Sequence, residues 1–367
     1  MTTEIASYLY SSEGFETFEI ADSVITIGES AFSSCRNLKT ISIPPNVRDI
    51  CRNAFSRCDS LESIYMSNSV ERLGRSAFSD CNSLQYFTIN KRIRQLGDYL
   101  LYNCALLESV FMEDGMRYIP NAMCSGCIML NTVRIANTVT SIGNIAFYDC
   151  VSLEFITIPS SVTKIGNCAF AGSGVKNFEM YSSGCVMFSE SVFSGCIQLT
   201  TVKLPEMLKI PSAMFLGCIK LESIDLPDTI NEICDSAFSG CISIESFTIP
   251  PNVTKICNSA FSHCRNLKSV VISESVTIVE PNAFMCCHNL NYVEVSSLEV
   301  FEEKVFCMSS INEINFKIND MSDITTYDQF EQVLKSLGIP INIKVGLNHV
   351  LEGECGRVVY ESDIVLK

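Results

Sequence analysis

The residues best equipped for chemistry in this 367-residue chain are its twenty cysteines and three histidines. Thiols at C-x-x-C spacing can hold zinc. Thiols on neighbouring strands can staple a secreted fold. A thiol within hydrogen-bond reach of an imidazole can act as a nucleophile. Cys124 and Cys127, in "CSGC", have the C-x-x-C spacing, but no second pair lies nearby to complete a zinc site. His263 adjoins Cys264, and His288 adjoins Cys287, yet neighbours on a turn point apart and cannot form a Cys–His couple. His349 has no such cysteine beside it. The patterns G-x-x-x-x-G-K-[ST], G-x-S-x-G and H-E-x-x-H do not occur. No catalytic, cofactor-binding or metal-ligating residue is therefore assigned, and the chain reads as a non-enzyme.

The cysteines make sense only against the elements that carry them. Segments 27–47, "IGESAFSSCRNLKTISIPPNV", and 50–70, "ICRNAFSRCDSLESIYMSNSV", are near copies. Taking the aromatic of "AFxxC" as anchor, the repeat falls at Phe32, Phe55, Phe78, Leu101, Cys124, Phe147, Phe170, Phe193, Phe215, Phe238, Phe261, Phe284 and Phe306. Ten of the twelve intervals are 23 residues and two are 22, so this is one repeat array. Eleven cysteines then share one slot: Cys35, Cys58, Cys81, Cys104, Cys127, Cys150, Cys196, Cys218, Cys241, Cys264 and Cys287. Ser173 and Ser309 fill that slot in two other units, while Cys51, Cys234 and Cys257 take a glycine slot. Two readings stand. Successive rungs sit at a bondable Cα separation, or the column is a ladder of buried thiols acting as small apolar side chains. Exchange with Ser favours the second.

Each unit reads L-x-x-I-x-I-P-x-x-V-x-x-I-G-x-x-A-F-x-x-C-x-x. "LKTISI" alternates with period two and is closed by "PP", which predicts a short strand with Leu38, Ile41 and Ile43 inward. Apolar spacing in "VRDICRNAFSRC" fits a tight turn or a short helical segment returning across the coil. One unit cannot bury its own apolar face, whereas stacked units share a continuous core. The expected fold is an α/β repeat solenoid: a right-handed coil of about thirteen units with a parallel sheet on one face.

Outward strand positions form two columns, mostly Ser and Thr. Against that background Tyr65, Tyr86, Phe111, Arg134 and Phe155 fall on consecutive predicted strands. Aromatics with Arg are the side chains that dominate interface energies, so these five are the candidate ligand-binding residues. The competing reading is ordinary β-formers covering one another across strands.

The repeat pattern resembles the BspA-like, or Treponema-type, leucine-rich repeat family, over roughly four fifths of the chain. That resemblance implies a surface or secreted binding protein of host-associated bacteria and parasitic protists, with adhesion to host proteins and no catalytic residues. The partner it implies is a protein.

Composition bounds the rest. Net charge is −15, from 41 acidic and 26 basic side chains, which disfavours nucleic acid and anionic lipid. No apolar stretch is long enough for a membrane span, and "MTTEIASYLYSSEGFETFEI" has no signal-peptide character. Residues 21–318 form the array, and residues 1–20 read as an N-terminal cap. Residues 319–367 read as a C-terminal cap or a small α/β binding module, with a helix in 325–338 and strands in 341–347 and 356–367. Two functions remain: a surface adhesin working through the sheet face, or an intracellular structural or interaction repeat protein. The resemblance points to the cell surface, whereas free thiols and the start of the chain favour the cytoplasm.

Overall fold

The structure, a computed structural model, describes residues 3–182, 184–295, 300–307, 314–318, 332, 335–337, 344–346 and 364–365. They fall into two compact units, 1–196 and 197–367. Both are parallel-sheet solenoids, about thirteen turns of about 23 residues in all, with almost no helix. The returning segment is a series of tight turns, not helix.

In the first unit, the face carries Thr17–Glu19, Thr40–Ile43 and Ser63–Met66 in one sheet, and Tyr86–Ile89, Ser109–Met112 and Thr132–Arg134 in another. The register is one repeat, as in Thr40 opposite Ser63 and Ser109 opposite Thr132. Two-residue strands form the other side of each turn, from Glu4–Ile5 through Thr26–Ile27, Asp49–Ile50 and Arg72–Leu73 to Gln95–Leu96. The second unit repeats the plan, with Ser246–Thr248, Ser269–Val271 and Tyr292–Val295 on its face and Lys209–Ile210 through Ile278–Val279 behind.

One predicted strand does not form. Residues 153–159, around Phe155, have no strand geometry. The chain spends its donors locally there: the Val151 amide bonds the Asp149 carbonyl and the Glu154 amide bonds that of Ser152. The helix expected over 325–338 lies largely outside the described residues; Gln332, Lys335 and Ser336 are helical. Of the last two expected strands, the described parts are Lys344–Gly346 and Ile364–Val365, which pair antiparallel.

The core is two columns. Every Phe anchor is fully buried, and the rings stack: Phe32 on Phe55 at 5.1 Å and Phe55 on Phe78 at 5.3 Å, within 3° of parallel. In the second unit Phe215, Phe238, Phe261, Phe284 and Phe306 stack at 5.2–5.6 Å. Beside them stand the slot cysteines, all fully buried. Their thiols donate to a main-chain carbonyl of the preceding turn: Cys58 to Phe32 at 3.2 Å, Cys81 to Phe55 at 3.1 Å, Cys264 to Phe238 at 3.2 Å. A buried carbonyl needs a donor. A thiol supplies one while still packing as a small apolar group. Ser173, in the same slot, is buried with its hydroxyl 3.5 Å from the Cys196 thiol. Ser309 lies outside the described residues.

Each turn also needs corners. The residue two before the anchor has positive φ throughout, from Ser30 (53°) to Lys304 (62°). At the glycine slot the turns nearly touch: a Cβ on Gly74 would stand 2.5 Å from the Arg52 amide nitrogen.

Candidate protein-binding surface

Strand alternation decides which side chains reach solvent. In Tyr86–Ile89, Phe87 and Ile89 go inward and are buried, leaving Tyr86 and Thr88 outside. The same alternation exposes Tyr65 by 67%, Tyr86 by 57% and Phe111 by 40%. Arg134 is exposed, and its Cα is paired with that of Phe111 across the ladder. Phe155 is 63% exposed, but on the irregular segment and not on a strand. The first four thus stand on regular strands of the first unit's face, in two sheets.

Tyr65 and Tyr86 come together. Both line a groove of about 570 Å³ that also touches Glu62, Ile64, Met66 and Glu113. The Tyr86 hydroxyl donates to Glu108 at 3.3 Å. In the second unit the corresponding groove, about 460 Å³, is lined by Glu222, Asp225 and Asp228, and its aromatic, Phe247, is buried. Nothing in the repeat pattern marks these two grooves. They arise where adjacent face strands do not pair, Ser63–Met66 with Tyr86–Ile89 and Ser223–Asp225 with Ser246–Thr248.

Most of the described thiols are buried. Nineteen described cysteines are free. Burial pushes the Cys196 thiol up to about 11 and that of Cys264 to about 12, so neither is a thiolate near neutrality. In the C-x-x-C pair, a hydrogen bond with Cys127 and then burial raise Cys124 well above its ordinary value, and Cys127 donates to the Leu101 carbonyl at 3.1 Å. His263 sits at a positive-φ corner (59°) while the Cys264 thiol donates inward to Phe238. His349 lies outside the described residues. Asp235, Cys257 and Glu280 bring three ligand-type atoms within 4.8 Å. Lys255 already supplies positive charge there, 2.6 Å from Glu280, and the Cys257 thiol donates to Glu232 at 3.3 Å. Burial, and then that carboxylate, push Cys257 up to about 12.

A BspA type leucine rich repeat model matches residues 3–131, 117–241 and 208–333, in six copies. The chain belongs to the BspA-type leucine-rich repeat family. This BspA-type solenoid is similar to a leucine-rich repeat protein from Bacteroides ovatus, with 28% identity and a TM-score of 0.66, over 82% of this chain and 83% of that one. It is also similar to a leucine-rich cell surface protein from Faecalibacterium prausnitzii, with 25% identity and a TM-score of 0.48, over 79% and 82% of the two chains. No curated protein matches it. Among the described residues of this BspA-type chain, no helix is long and apolar enough to cross a membrane.

Proposed function

We propose that this protein is a non-catalytic binding scaffold of the surface-adhesin type, which holds a protein ligand on the sheet face of its first unit. The single observation that carries this reading is the exposure of Tyr65, Tyr86 and Phe111 on regular strands, with Arg134 paired beside Phe111. Large aromatics cost little conformational entropy to dock and lose much water-exposed area, so they concentrate binding energy. Phe155 would extend the patch beyond Thr132–Arg134. A second reading, an intracellular interaction protein, draws on the nineteen free cysteines, which a reducing compartment preserves. In either setting we take residues 1–20 as an N-terminal cap of the 21–318 array, and residues 319–367 as a C-terminal cap or a small α/β binding module.

The test is replacement of Tyr86 and Phe111 together by Ser, with ligand binding and surface proteolysis of intact cells read in parallel. Loss of ligand with an unchanged fold supports the face. Unchanged binding removes it.

A further inference from the structure

The groove that holds Tyr65 and Tyr86 is a break in the sheet. Ser63–Met66 and Tyr86–Ile89 belong to different sheets, and no backbone hydrogen bond joins them. On either side the ladder is intact: Ser63–Met66 pairs with Thr40–Ile43 over four residues, and Tyr86–Ile89 with Ser109–Met112 over four. Behind the gap the turns stay closed, with the Phe55 and Phe78 rings 5.3 Å apart and Leu73 paired with Leu96. The opening is therefore confined to the face. It reaches toward the core, because Ile64 and Met66 are only half-buried where Ile41 and Ile43, one turn earlier, are buried.

We propose that this gap receives an extended basic segment of the partner protein, which adds to the face as a strand. The inference rests on the protein-binding reading of that face. Edge groups without a neighbour are a template for an added strand, and main-chain pairing supplies affinity while alternate side chains supply specificity. Side chains of one parity in such a segment meet the apolar floor of Ile64 and Met66. Those of the other parity meet Tyr65 and Tyr86 and the carboxylates of Glu62 and Glu113, with no Lys or Arg among the lining residues. Arg suits that position, since a guanidinium stacks on a tyrosine face and pairs with carboxylate. The chain's net charge of −15 draws a basic segment toward it. The groove volume of about 570 Å³ is that of an ordinary ligand cleft.

The probe is a fluorescein-labelled ten-residue peptide alternating Arg and Val, titrated against the full chain by anisotropy. Three controls accompany it: the Glu–Val counterpart, a twin methylated at every second amide nitrogen, and the chain with Tyr65→Ser and Tyr86→Ser. Each control is expected to weaken binding by about ten-fold or more. Hydrogen exchange on the complex should show new protection at residues 86–89, and much less at 246–248. Equal affinity of the methylated twin overturns strand addition, and equal affinity of the Glu–Val peptide overturns the basic partner. Absence of saturable binding overturns both. Self-association of the chain that the two serines abolish would make the occupant a second copy, and the proposal would fall. If a protein ligand still depends on Tyr86 and Phe111 while the peptide fails, strand addition alone is lost and the scaffold reading survives.

Discussion

The two units are built on the same kind of core and differ on the face. In both, stacked Phe rings and slot cysteines repeat at one turn, and in both two adjacent face strands part to leave a groove. The first unit fills its groove walls with Tyr65 and Tyr86. The second presents Glu222, Asp225 and Asp228 instead. The lesson is that the ladder fixes where a side chain stands, while the outward columns, free of packing demands, decide what it recognises.

The largest test attacks what the units share. Burial raises the slot thiols, Cys264 to about 12 and Cys196 to about 11. An unfolded thiol ionises near 9, so above that pH the unfolded state releases protons that the folded state keeps. Stability is full below about pH 9 and is lost as pH rises toward the folded values, by about 1.4 kcal/mol per pH unit for each thiol. With several thiols acting together, denaturant midpoints under reducing conditions should collapse between pH 9 and 11, in both units alike. A flat midpoint across that range would show that the thiols ionise in place.

The next test separates core from face. Phe238→Ala removes a ring packed between Phe215 and Phe261 and should cost about 3–5 kcal/mol. Phe55→Ala should cost the same in the first unit, whereas exposed Tyr65→Ser should change stability by less than about 0.5 kcal/mol. A Phe238→Ala loss below about 1 kcal/mol would contradict the stacked column.

A smaller effect sharpens the contrast between faces. Tyr86→Ser with Phe111→Ser should weaken protein-ligand binding by about 2 kcal/mol or more, and Asp225→Asn should leave it unchanged. The reverse result would place recognition on the acidic face and make it electrostatic.

Much of this was legible in the sequence, for a physical reason. Anchors at 23-residue spacing can bury themselves only by stacking, so Phe32 and its equivalents announced both the fold and the core. The outward parity of Tyr65, Tyr86, Phe111 and Arg134 followed from alternation. Three features were not legible. The break between Ser63–Met66 and Tyr86–Ile89 depends on how two whole turns settle, and no local residue encodes it. The loss of strand at Phe155 reflects local hydrogen bonds at Asp149 and Ser152 that compete with the ladder. The thiol-to-carbonyl bonds of the slot cysteines were hidden too, because the sequence showed only that Cys and Ser exchange there.

The smallest effect concerns a corner. The position two before each anchor holds positive φ, and most turns place there a residue that tolerates it, such as Ser30, Asn53, Ser76 or Asn282. Ile145 occupies it at φ 48°. A β-branched side chain in the left-handed region crowds its own backbone, at a cost of about 1–2 kcal/mol. The turn holds it there because its amide bonds the Asn167 carbonyl at 2.8 Å, and the next corner along, Cys168, is bonded likewise to Glu190 at 3.0 Å. Asn keeps that amide and relieves the crowding, while giving up some apolar contact from a half-buried side chain. Ile145→Asn should therefore raise stability by about 0.5–1 kcal/mol, read as a shift in denaturant midpoint with unchanged slope. Gly at the same position should gain less, because its unfolded chain has more freedom to lose. If Asn instead destabilises the protein, the half-buried isoleucine is held by packing that outweighs its backbone strain, and corner geometry is not what selects residues at this position.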